Sequence, residues 1–137
     1  MAEKPAAVLR SYLVADFIFQ ALQGKWCIIG VFNQIFSPVF PAIHQSLGLF
    51  LSLTDVPPGE HKVGVVFFDS DHRQLAVGPK VGININDRLA QVDIGIQTYA
   101  LVLPHPGDYF FEVLFDDTPI GDARISAMLM PKQGGNT

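Results

Sequence analysis

The chain has 137 residues, enough for one domain that buries a core without disulfide or metal staples. Charged residues make up 16% of it, against roughly 25% in an ordinary soluble protein, and apolar types reach 49%. A net charge of −4 excludes the basic field that nucleic acid or anionic lipid requires, and the apolar content excludes disorder.

The first residues, Met1-Ala2-Glu3-Lys4-Pro5, lack the cationic start and apolar block of a signal peptide. Residues 8–20 then alternate with period two. Leu9, Leu13, Ala15, Phe17 and Phe19 point one way, and Arg10, Tyr12, Asp16 and Gln20 the other, which predicts a strand. After the turn Gln23-Gly24-Lys25, residues 26–33 are apolar on both faces, as in a central strand. Cys27 is the single cysteine, so an internal disulfide and a cysteine-based zinc site are excluded. In its apolar run it reads as a small buried hydrophobe.

Segment 34–45 reads as a loop of unusual composition, because surface loops are normally polar. No charged residue occurs between Lys25 and Asp55, but Asn33, Gln34, Pro38, Pro41, His44 and Gln45 interrupt that stretch. Leu47, Leu49, Leu51 and Leu53 then alternate with Gly48, Ser52 and Thr54, the period of a strand and not of a lipid-spanning helix. A soluble, cytoplasmic protein with no membrane contact is expected.

Past Val56-Pro57-Pro58-Gly59, Val63, Val65 and Phe67 alternate within 62–69, and Asp69-Ser70-Asp71-His72 forms the next turn. Two weaker strands follow near 73–78 and 81–86. In 91–103, Val92, Ile94 and Ile96 oppose Asp93, Gly95 and Gln97. After the turn 104–108, Tyr109, Phe111, Val113 and Phe115 oppose Glu112 and Asp116. Beyond Asp116-Asp117-Thr118-Pro119, Ala123, Ile125, Ala127 and Leu129 oppose Asp122, Arg124 and Ser126. A single domain over 1–131 with a flexible tail at 132–137 results. The expected fold is all-β, an antiparallel sandwich of about eight or nine strands, immunoglobulin-like or jelly-roll-like, with a closed barrel as the alternative.

The segment Pro106-Gly107-Asp108-Tyr109-Phe110-Phe111 resembles the approach to a late strand in immunoglobulin-like sandwiches, where the Tyr hydroxyl closes a corner. Phe111 stands where an antibody domain has its second cysteine. The likeness bears on fold and carries no function. If each connection reverses the chain, loops 34–45, 69–73 and 104–108 share one end, and 23–25, 55–61 and 116–121 the other.

Enzyme templates are missing: there is no Gly-x-Ser-x-Gly elbow, no phosphate-cradling loop and no His-Glu-x-x-His. His44, His61, His72 and His105 are scattered and read as loop residues. No cofactor is expected. Asp69-x-Asp71 and Asp116-Asp117 are the carboxylate pairs that calcium uses, but alternation separates them, and Asp starts turns without any metal. His44, His72 and His105 with Asp69 or Asp71 form the other candidate, an imidazole–carboxylate metal site. The favoured reading rests on loop 34–45, whose prolines stiffen an apolar display. Phe36, Pro38, Phe40 and Pro41 are the candidate partner-binding residues, for a protein partner or for self-association. The competing reading is that these side chains plug the open end of the sandwich.

The residues Ala15-Asp16, Gly24-Lys25, Ile29-Gly30-Val31-Phe32-Asn33 and Phe40-Pro41, with the Pro-Gly-x-Tyr segment, form a pattern. It is similar to that of a bacterial family of uncharacterised small single-domain β-sandwich proteins. The resemblance implies a bacterial origin and a β-rich fold, and it transfers no site. Together these readings describe a non-enzymatic interaction or assembly module, with metal or small-ligand binding as the alternative.

Overall fold

Strands form wherever an apolar alternation or run lies between turn residues. The computed structural model describes residues 7–87 and 90–131. Its strands are β1 Val8–Gln20, β2 Trp26–Val31, β3 Gln34–Ser37, β4 Ala42–Thr54, β5 Gly59–Asp69, β6 Gln74–Val77, β7 Val81–Ile85, β8 Val92–Leu103, β9 Gly107–Phe115 and β10 Thr118–Leu129. A four-stranded sheet in the order β2-β1-β4-β8 packs on a six-stranded sheet in the order β3-β10-β9-β5-β6. In the second sheet β7 pairs the first half of β5, on the flank that β6 takes further along. Neither sheet closes on itself, so the molecule is a sandwich and not a barrel. Among the described residues, no helix is long and apolar enough to cross a membrane. The expected tail, 132–137, lies outside the described residues.

The leucine alternation of β4 supplies one wall of the core. Leu47, Leu49, Leu51 and Leu53 meet Val63, Val65 and Phe67 of β5 and Tyr109, Phe111, Val113 and Phe115 of β9, all buried. Each such side chain contributes roughly 1.5–3 kcal/mol by leaving water. The residues expected to face inward in β4, β5, β9 and the middle of β10 do so.

Four expectations need correction. The pairing of β1 with β4 shifts register between Leu9 and Ser11. This bulge reverses the parity of the strand, so Leu9 and then Val14 face the core, and Phe17 and Phe19 do not. β2 is an edge strand and not a central one, and Cys27 is only half-buried there. Segment 34–45 is not one loop. Gln34–Ser37 is a strand that pairs in parallel with β10, a turn occupies 38–41, and β4 already starts at Ala42. Finally, His44 lies in β4 and His61 in β5, so only His72 and His105 fall in connections.

The ends of the sandwich follow from the registers. Ala42 pairs with Leu103 and Asp69 with Tyr109, which gathers turns 38–41, 69–73 and 104–106 at one end as expected. Val63 pairs with Phe115, so 55–58 and 116–117 meet at the other. Turn 21–25 departs from the expectation. β1 starts beside Thr54 but leaves β4 after Ala15, and Ile18 and Trp26 lie over Gly48, Gly95 and Phe50, so the turn after it lies over the outer face of the four-stranded sheet and joins neither cluster.

Candidate interaction surface

Beyond Ala15, β1 leaves its ladder with β4 and continues only as a hairpin with β2. Side chains from the outer face of the four-stranded sheet catch the departing backbone. Gln97 accepts a hydrogen bond from the Ile18 N–H at 2.9 Å, and Gln97 Nε2 and Ser46 Oγ donate to the Asp16 carbonyl at 3.1 and 2.7 Å. The hairpin then lies over that outer face, and two glycines make room for it. A Cβ on Gly48 would stand 2.7 Å from Ile18 Cγ1, and one on Gly95 would overlap the Trp26 ring. Trp26 meets Phe50 edge-on with ring centroids 5.8 Å apart.

One face of the hairpin is thereby buried and the other is turned out. Phe17 pairs with Ile29 and Phe19 with Cys27, and Val31, opposite the fully buried Ala15, follows on the same side, which puts these five side chains on a common outward face. Phe17 and Phe19 are each 47% exposed, Ile29 53% and Val31 60%. The two phenylalanines alone leave on the order of 200 Å² of ring in water. Sequence reasoning missed this patch because its alternation continues the core pattern of β1. The available signal was glycine at two outward positions, 48 and 95, where a neighbouring layer must approach.

The residues singled out in 34–45 divide between display and plug. Phe36 is exposed in register with Met128, and Pro38 and Pro41 are exposed in the turn. Ile35 and Ala42 are buried, and Phe40 packs against the core.

The imidazole–carboxylate candidates are brought together only in part. His105 Nε2 lies 3.4 Å from Asp69 Oδ2. The Asp69 carboxylate also accepts the backbone N–H groups of Asp71 and Arg73, each at 2.9 Å, and Arg73 Nε at 3.1 Å. These bonds, the Arg73 N–H first, hold its pKa below the ordinary value. Asp71 reaches toward Arg73, and His44 stands apart in β4, with Nε2 3.5 Å from Asp16 and its ring against Phe32. Asp69 closes a turn, and among the described residues no cluster of three or more His, Cys, Asp or Glu is placed to hold a metal ion. The tyrosine corner does form. Tyr109 Oη accepts the His105 N–H at 3.1 Å and donates to the His105 carbonyl.

The fold and surface define a two-sheet β-sandwich with an apolar hairpin face turned to solvent. The chain belongs to a family of unknown function, DUF6941, whose model matches residues 10–128. Among curated proteins no sequence matches it. Its structure is similar to part of the alkylpurine DNA glycosylase AlkC of Pseudomonas fluorescens bound to DNA containing an abasic site analog. There the identity is 12% and the TM-score 0.54, over 91% of this chain and 31% of that one. The likeness shows the fold, and this chain spans under a third of the glycosylase. A β-glucosidase from Listeria innocua, in complex with isofagomine, matches with 9% identity and TM-score 0.48 over 70% of this chain and 15% of that one. An immunoglobulin-like protein from Pseudomonas aeruginosa matches with 9% identity and TM-score 0.43 over 92% and 99%.

Proposed function

We propose that the protein is a non-enzymatic interaction or assembly module that docks a protein, here a second copy of itself, on the outer face of the β1–β2 hairpin. The observation that carries this reading is the half exposure of Phe17, Phe19, Ile29 and Val31 on one face. Contiguous apolar surface on a soluble domain marks contact sites more often than accident. Residues 26–31 carry no charged side chain, so a second copy docked on that strand desolvates no charge there. Phe36 and Met128 extend the apolar display to the edge strand of the other sheet. The His105–Asp69 and His61–Asp116 contacts support a non-enzymatic role, because each engages backbone groups that fix a turn. The net charge gives no footing on a phosphate backbone, so DNA is not among the proposed partners.

Native mass spectrometry of the protein, of Phe17→Asp and of Phe36→Asp tests the reading. A defined oligomer that Phe17→Asp converts to monomer, at unchanged melting temperature, supports it. An oligomer lost only in Phe36→Asp moves the contact to β3. A monomer at all concentrations sinks self-assembly.

A further inference from the structure

We propose that the slot between the β8 and β6 edges binds one small, uncharged, hydrocarbon-like molecule. The slot has a volume of about 650 Å³, within the range of small-molecule sites. Leu49, Phe67 and Phe111 form its floor, and they are almost fully buried. The opening therefore reaches inward between the two sheets.

The lining decides the chemistry of that occupant. Among the described residues that line the slot, none is charged. Gln97 is engaged with Asp16, Ile18 and Ser46, and Thr98 Oγ1 donates to the Leu47 carbonyl at 3.0 Å. Beside them only the Tyr99 hydroxyl offers a side-chain donor, and with no cation in the lining a carboxylate or phosphate drawn into the slot would lose hydration that one hydroxyl does not replace. An uncharged apolar molecule loses nothing comparable and removes lining surface from water.

The lips argue against a peptide strand as the occupant. β8 is interrupted beside the slot at Ala100, whose φ is +54° and which has no partner in the β4 register. The strand changes face there: Ile94 and Ile96 point into the core before it, and Leu101 and Leu103 after it. The register with β4 continues on both sides, but a left-handed residue interrupts the regular run of N–H and C=O groups along the free edge of β8. The opposite lip, β6, has four residues and gives way to Gly78-Pro79, where the Gly78 N–H already bonds Val65 and Pro79 has none to offer. Neither lip provides a ladder for an incoming backbone, so side-chain contact with a small molecule remains.

The uncharged fluorescent probe N-phenyl-1-naphthylamine tests the site. Ala76 pairs with Phe67, so its side chain faces the slot, and it is exposed enough for a larger residue to fold there. Saturable binding of one probe per chain is expected. Ala76→Trp should weaken it at least tenfold, while Gly82→Val, outside the slot and with open space for its side chain, changes it less than twofold. Val102→Asp on the other lip should also weaken it at least tenfold, and serves if the tryptophan variant fails to fold. Absence of saturable binding to the unaltered protein overturns the proposal. So does loss of binding in Phe17→Asp with binding retained in the slot variants, which would assign the probe to the hairpin face.

Discussion

His61 and Asp116, 55 positions apart, lock one end of the sandwich: His61 Nδ1 lies 2.6 Å from Asp116 Oδ2. The other ring nitrogen lies 2.7 Å from the Pro57 carbonyl oxygen, so both nitrogens face acceptors and both hold protons in the locked state. Asp116 also accepts the Lys62 N–H at 2.9 Å, tying the start of β5 to the turn between β9 and β10.

This pair makes stability depend on pH above neutrality. The Asp116 hydrogen bond raises the His61 pKa above its ordinary 6.5, against the opposing effect of burial. The folded state therefore holds a proton that the unfolded chain releases near 6.5. The stabilisation is fully present below that value and is lost as pH rises through the folded pKa. Urea unfolding between about pH 6 and pH 9 should show a falling midpoint. Asp116→Asn keeps an acceptor and tolerates the left-handed backbone at φ +47°, but removes the charge. It should flatten that dependence, and a flat profile in the unaltered protein contradicts the assignment.

Tyr109→Phe should lower stability by about 1–3 kcal/mol. The hydroxyl is the partner of both the N–H and the carbonyl of His105, and its ring stacks on Phe67 with centroids 5.3 Å apart. Phenylalanine preserves the stack and leaves the corner backbone unsatisfied. Denaturant midpoints should fall with an unchanged m-value.

Gly95→Val should lift the hairpin from its sheet, because the new side chain overlaps the Trp26 ring. Overpacking of this kind costs about 1–3 kcal/mol. Trp26 is the only tryptophan, so its emission should shift to the red as the ring meets water. Gly82→Val, where a Cβ has open space, should leave emission and stability unchanged.

Phe40→Asp should unfold the protein or lower its melting temperature sharply, whereas Phe36→Asp should change stability by no more than about 0.5 kcal/mol. Phe40 packs against the core and Phe36 stands half exposed on the edge strand. Circular dichroism melts of the two variants separate plug from display within five residues of chain.

Periodicity by itself determined the class of fold. Alternation in residues 46–54, 62–69, 109–115 and 123–127 maps onto buried positions because a strand side chain reverses face at every step. The corner at Tyr109 was also legible, since its Pro-Gly-x-Tyr signature acts on backbone four residues away.

The exposed face was not legible, and the reason is local. One bulge between Leu9 and Ser11 inverts the inward and outward sets of β1, and composition does not report where a strand gains a residue. The departure of the hairpin after Ala15 depends on Ser46, Gln97, Gly48 and Gly95, which are remote in sequence. β3 was hidden because four residues beside two prolines carry too short a pattern, and only its parallel pairing with β10 defines it. Sequence thus determined the strands other than β3 and the core-facing sides of β4, β5 and β9. Tertiary structure alone decided which apolar side chains were left over for a partner, because that depends on the register between strands far apart in the chain.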